Sequence, residues 1–175
     1  MIKFEKVSFE QFKTDVSKIY AGVDDEYIEW CYANIKLPKR STKGSAGYDF
    51  FMPFVLRIRQ GSGTEEADYT TIPTGIRWVT DRDDVVLMLF PRSGFGFKNG
   101  MYLANTVGII DSDYAQSSNE GHIMVKVSNH IKPIDLETGR AFVQGIILPY
   151  ITTTDEEEVT TVRDGGFGST DQNGR

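Results

Sequence analysis

Two textures divide the chain. Before residue 35 the apolar residues recur at helical spacing, and beyond it they come in short runs broken by turn formers. Phe9, Phe12, Val16 and Ile19 fall on one face of a helix. Ser8 stands in front of them as N-cap with Gln11 three residues on, the capping-box pattern, and Gly22 lies just past the end. A second short helix is predicted from Asp24 to about Ala33. From Ile35 strands are predicted over 47–52, 55–59, 69–72, 75–80, 85–90, 103–110, 123–128, 131–134 and 141–150. A polar, basic loop spans 38–45, and turns fall at Gly61-Ser62-Gly63 and Asp81-Arg82-Asp83-Asp84. Many short strands at regular spacing predict an all-β sandwich or barrel. The reading is one domain: a helical extension over 1–34, a β core over 35–154, and an acidic linker with a glycine-rich arm over 155–175.

Composition narrows the classes. The 175 residues are 39% hydrophobic, enough for a core and unlike a disordered chain. No apolar run approaches the length of a membrane span, and no signal peptide precedes the charged N-terminus. Cys31 stands alone, which excludes an internal disulfide and fits a reducing cytoplasm, the host's if the chain is phage-encoded. A net charge of −6 argues against direct nucleic-acid binding, which needs a basic footprint. A small anion remains within reach of a few local arginines and lysines.

The candidate chemistry lies at strand ends. The run Val85 to Phe90 stops at Pro91 and hands over Arg92 and Ser93, and Val107 to Ile110 delivers Asp111, with Tyr114 three residues on. An anion binder, a hydroxyl, a carboxylate and an aromatic face thus fall within about one hairpin. On residue type alone, an Arg–Asp ion pair in a turn accounts for them equally well. The tail Gly165-Gly166-Phe167-Gly168-Ser169-Thr170 can wrap an anion with backbone N–H groups, although a disordered terminus reads the same. It is no Walker loop, since no lysine precedes Ser169, and Gly94 to Gly100 lacks the spacing of a dinucleotide fingerprint. His122, His130 and Cys31 do not share ligand spacing, so zinc is not expected. Trp30 and Trp78 are expected in the core.

Ala46-Gly47-Tyr48-Asp49-Phe50, Pro91-Arg92-Ser93-Gly94, Gly108-x-Ile110-Asp111-x-Asp113-Tyr114, a strand with Gln144 and the Gly165–Thr170 tail occur in that order. The set resembles the five motifs of the trimeric dUTPase (dUTP diphosphatase) family, bacterial or bacteriophage type, over roughly residues 35–170. The resemblance implies a distorted jelly roll, the dUTPase-like β-clip, with the helices as an extension outside it. It implies hydrolysis of dUTP to dUMP and pyrophosphate by a homotrimer with active sites at subunit interfaces.

The same resemblance assigns roles. Asp111 is the general base, with Asp113 as the rival carboxylate on sequence alone; an ionised carboxylate can take a proton from water. Arg92, Ser93 and Gly94 contact phosphates, and Gln144 lies near them. Asn105, with Gly108 and Ile110, belongs to the hairpin that reads uracil. Tyr114 lies under the deoxyribose and leaves no room for a 2′-hydroxyl. Asp49 meets Mg2+ through water, the triphosphate supplying most ligands. Arg163, Phe167, Gly168, Ser169 and Thr170 form an arm that closes over another subunit's site. Two departures stand out: Ala141 occupies the place of the usual fourth-motif arginine, with Arg140 one residue earlier, and Ala115 to Glu120 forms an insertion after Tyr114. Competing readings are a dCTP deaminase-like enzyme and a non-catalytic regulator that binds nucleotide or a protein partner.

Overall fold

The computed structural model describes residues 1–61, 65 and 68–155. Within them the chain is mostly β, as the spacing of short apolar runs predicts. The largest sheet is antiparallel and holds, in order, β2 (Lys39–Arg40), β3 (Tyr48–Phe51), β12 (Ala141–Pro149), β7 (Val85–Pro91) and β9 (Gly108–Ile110). Along β7 the residues alternate, with Val85, Leu87 and Leu89 buried, so one face of this sheet packs into the core. A second sheet places β10 (Met124–Asn129) between β5 (Thr70–Pro73) and β8 (Met101–Leu103). Two ribbons complete the set, β4 (Leu56–Ile58) with β11 (Ile134–Leu136), and β1 (Ile2–Lys6) with β6 (Ile76–Thr80). Trp78, Phe50, Phe142, Ile72, Leu87 and Ile123 are among the fully buried side chains.

The helical extension docks on this core. Helix α1 (Phe9–Ile19) buries Phe12 and Val16, and α2 (Asp25–Ala33) buries Ile28 and Cys31. Fully burying a side chain such as Phe12 contributes roughly 1.5–3 kcal/mol relative to exposing it. Ser8 caps α1 as expected, its hydroxyl accepting from Gln11 N–H at 3.1 Å. The reciprocal half of the capping box is built differently. Glu120, far away in sequence, accepts from the Ser8 N–H, while the Gln11 amide donates to Asp15. A carboxylate makes the stronger, charge-assisted bond and displaces the neutral amide.

Several expectations are corrected. Strand β1 precedes the helices; Ile2-Lys3-Phe4-Glu5-Lys6 does alternate, but its short, half-exposed run gives a weak signal. The expected strand over 103–110 is two strands in different sheets, separated by a turn in which Thr106 N–H donates to Leu103 C=O and Thr106 takes φ 65°. The strand expected over 131–134 starts at Ile134, one residue after Pro133, and runs to Leu136. Trp30 is 51% exposed and stacks on Tyr27, because the face of α2 that packs inward is set by Ile28 and Cys31. Trp78 is buried. Helix α3 (Ser93–Asn99) was not expected, since Gly94 and Gly96 disfavour helix; Gly100 at φ 64° ends it.

Candidate functional site

Three adjacent strands bring together residues scattered over the chain. Gln144 on β12 lies opposite Asp49 on β3 and opposite Phe90 on β7. Directly opposed residues share a sheet face, and Arg92 continues that face two residues past Phe90. Pro91 ends the strand, and Arg92 N–H still donates to Phe142 C=O at 3.3 Å before the chain turns into α3. The Arg92 guanidinium reaches back across the sheet, its Nε 3.0 Å from Asp49 Oδ1. Asp49 is nearly buried and also accepts from the Ser41 hydroxyl. An Arg–Asp ion pair therefore exists, but it joins Arg92 to Asp49 across two motifs and not to Asp111 within one turn.

The Gln144 side chain folds over Gly47. A Cβ on Gly47 would lie 2.6 Å from Gln144 Oε1, so a side chain there would push the amide aside. Only glycine leaves that amide where it is.

Beyond Arg92 opens a cleft of about 350 Å3 whose lining includes Arg92, Ser93, Gly94, Lys98 and Arg140. Its charge is cationic, three basic side chains against no carboxylate among its lining residues. Lys98, Asn99 and Arg140 were missed by the motif reading. Arg140 directly precedes β12, where the pairing with β3 shifts register between Ala141 and Val143. Its guanidinium sits over the Phe95 ring, 5.0 Å from the centroid. The basic residue next to the expected arginine position was the available signal.

A second cleft, of about 300 Å3, opens between β8, β9 and β10. Leu89, Leu103, Ile109, Ile110, Met124 and Val125 make it apolar, while Asn105, Lys126 and Thr71 add polar groups. Gly108 also lines it and packs close to Leu89, since a Cβ there would lie 3.1 Å from the Leu89 Cβ. Asp111 follows directly on Ile110 at the end of β9, one residue beyond the last lining residue of that strand. Such a slot with a few directed polar groups suits a flat heterocycle. The two clefts share no lining residue.

Tyr114 is 5% exposed, in a single 3-10 turn (Tyr114–Gln116). Its hydroxyl donates to His122 C=O at 3.2 Å, and its N–H donates to Asp111 C=O at 3.2 Å. It is not among the residues lining either cleft. Asp113 leads into the same turn, its carbonyl accepting from Gln116 N–H. Among the described residues no group of three His, Cys, Asp or Glu side chains is arranged to hold a metal ion. Arg163, Phe167, Gly168, Ser169 and Thr170 lie outside the described residues.

Comparison with known proteins gives these clefts a context. The dUTPase family model matches residues 33–171. The deoxyuridine 5'-triphosphate nucleotidohydrolase of Lactococcus lactis subsp. lactis (strain IL1403) is 36% identical over 141 residues, 79% of this chain and 89% of that protein. That of Haemophilus ducreyi is 37% identical over 139 residues, 75% of this chain and 84% of the relative. The solved structure of dUTPase from Streptococcus mutans superposes with a TM-score of 0.62 at 31% identity, covering 86% of this chain and 98% of that one. The dUTPase from phage phi11 of S. aureus superposes at 0.59 with 16% identity over 92% of this chain and 97% of its own, a likeness of fold alone. The match reaches from the last residue of α2 through the clefts at Arg92 and Asp111 and past the last described strand, and on that breadth the chain belongs to the dUTPase family.

Proposed function

We propose that the chain hydrolyses dUTP to dUMP and pyrophosphate at sites assembled between copies of a homotrimer. The separation of the two clefts carries this reading. A nucleoside triphosphate needs an apolar slot for its base and cationic groups for its phosphates, and in one chain these lie apart. A site becomes whole when the Asn105–Asp111 side of one copy meets the Arg92–Arg140 side of another. The arm with Arg163, Phe167, Gly168, Ser169 and Thr170 is assigned to cover the triphosphate from a neighbouring copy. A reducing cytoplasm, the host's if phage-encoded, suits the buried thiol of Cys31.

Cleavage to these products breaks the bond between the α- and β-phosphates. Water attacks a phosphorus ringed by negative oxygens, so catalysis consists of positioning, charge neutralisation and one base. Asp111 accepts the water proton. Arg92 offers a planar fork to phosphate oxygens, Ser93 donates to an oxygen, and Lys98 and Arg140 add positive charge. The Asn105 turn and the cleft behind it hold uracil. Tyr114, anchored at both its hydroxyl and its N–H, is assigned as the wall against a 2′-hydroxyl on the resemblance, although within one chain it lines neither cleft.

A divalent cation fits this arrangement as a companion of the triphosphate. Asp49 is paired with Arg92 and Ser41, and among the described residues no carboxylate cage surrounds it, so it would meet Mg2+ through water with phosphate oxygens as the main ligands. Bound Mg2+ supplies charge neutralisation on the triphosphate.

Pyrophosphate release from dUTP, dCTP, dTTP and UTP, each with magnesium, tests the reading, and dUTP is expected to be cleaved far better than the others. A hydrogen-bonded base slot rejects a mismatched edge because its own groups are left unpaired. Comparable cleavage of dCTP would sink the uracil assignment, and comparable cleavage of UTP the role of Tyr114. Ammonia without pyrophosphate would favour the deaminase-like reading.

The glycine under Gln144 allows a finer test. Gly47→Ala is expected to leave the melting temperature nearly unchanged, since only the end of a flexible side chain must move, yet to slow turnover about three- to tenfold through the displaced amide. Wild-type rates in that variant would remove Gln144 from the phosphate site.

A further inference from the structure

The insertion after Tyr114 and the helix outside the family-matched region are bonded to each other. The Ser8 N–H and hydroxyl both donate to the Glu120 carboxylate, at 2.7 and 2.6 Å. Further along α1, Asp15 Oδ2 lies 2.6 Å from His122 Nδ1. His122 is fully buried, and its Nε2 accepts from the Gly75 N–H at 2.8 Å. A backbone N–H can only donate, so the ring proton sits on Nδ1 and points at Asp15. The His122 carbonyl accepts from the Tyr114 hydroxyl, and Asn119 Nδ2 donates to that hydroxyl oxygen at 3.1 Å and to the same carbonyl at 3.3 Å.

The insertion is folded tightly on this line. Gly121 takes φ 72°, and a Cβ there would lie 2.6 Å from the Ala115 Cα, so the loop closes against its own backbone. Burial pushes the Asp15 carboxyl up, but hydrogen bonds from His122 and Gln11 outweigh it and hold the group below its usual range. Ser8 likewise holds Glu120 low. Each of the two contacts between α1 and the loop thus contains a carboxylate that is ionised at neutral pH, Glu120 in one and Asp15 in the other. A line of residues joined by hydrogen bonds runs from Asp15 to the His122 ring, from the His122 carbonyl to the Tyr114 hydroxyl, and from the Tyr114 N–H to the Asp111 carbonyl.

We propose that α1 clamps the Tyr114 loop, with Asp15 and Ser8 as positioning residues that act through His122 and Glu120 to set the wall against ribose. This rests on the reading of Tyr114 as that wall. The turn at Asn105, which belongs to the uracil slot, is not on the line. Loosening the clamp therefore relaxes sugar selection and spares base selection.

The test measures kcat/KM for dUTP, UTP and dCTP in Asp15→Ala, Glu120→Gln and Tyr114→Leu. Ratios between substrates in one preparation do not depend on how much of it is folded, and the more exposed Glu120→Gln variant covers the case in which Asp15→Ala folds poorly. Asp15→Ala is expected to lower the dUTP-to-UTP preference about tenfold, the scale on which a coupled residue away from the ligand acts, with the dUTP-to-dCTP preference kept within about twofold. Glu120→Gln is expected to move the same ratio in the same direction by less. If Tyr114→Leu lowers the sugar ratio while both clamp variants leave it unchanged, the clamp is overturned and the wall stands. If Tyr114→Leu leaves the ratio unchanged, the wall reading fails and the clamp with it. A parallel fall in sugar and base preference in Asp15→Ala would also overturn the proposal, since it marks general loosening.

Discussion

Replacing Asp111 by asparagine is expected to lower kcat by about 10²–10⁴-fold, the usual loss when a general base is removed. The exchange keeps the volume and much of the hydrogen bonding of the side chain, and it takes away only the capacity to hold a proton. Nucleotide affinity should therefore stay close to that of the parent protein, which equilibrium binding of dUMP or an uncleavable dUTP analogue measures. Asp111 is preferred over Asp113 on position. It leaves the sheet directly after Ile110, which lines the apolar slot, whereas Asp113 has already entered the 3-10 turn, its carbonyl accepting from Gln116 N–H. Near-normal turnover in the asparagine variant would transfer the role to Asp113.

Arg92→Ala should be as inactive as the Asp111 variant, because it removes charge at the developing phosphate negative charge, a contribution on the order of 10²–10³-fold. Co-expression of the two inactive chains is then expected to restore activity to a substantial fraction of the parent's. In mixed trimers some interfaces join an intact Asp111 from one chain to an intact Arg92 from another. Chains bearing both substitutions, mixed with either single variant, provide the comparison. Mixed assemblies as inactive as their components would show that each chain holds a complete site, whatever the separation of its clefts.

The fold class was legible because short apolar runs broken by Gly, Pro and Asp give a strong signal, and α1 announced itself through its Ser8 cap, whereas the capping role of Asp24 at α2 is seen only in the structure. The resemblance of ordered motifs supplied candidate residues of which Asp49, Arg92 and Gln144 lie together at one sheet end. What stayed hidden shares a physical cause. The break of residues 103–110 depends on a non-glycine left-handed turn at Thr106, which periodicity cannot register. Helix α3 runs against the propensity of its glycines. Arg140 and Lys98 enter the cationic cleft only when α3 and the start of β12 are brought together in space. The Glu120–Ser8 and His122–Asp15 bonds join positions more than a hundred residues apart, where a single sequence carries no trace of pairing.

The buried imidazole of His122 also bears on how the extension is held to the core. One ring nitrogen serves the β core at Gly75 and the other serves α1, so core and extension draw on the same residue. Without α1 the Nδ1 proton would lose its carboxylate partner, and the surface that Phe12 and Val16 now seal would be uncovered. The extension is therefore wired into the core and not merely laid on it: removing α1 takes away the partner of a core imidazole, while the carbonyl that supports Tyr114 belongs to the His122 backbone.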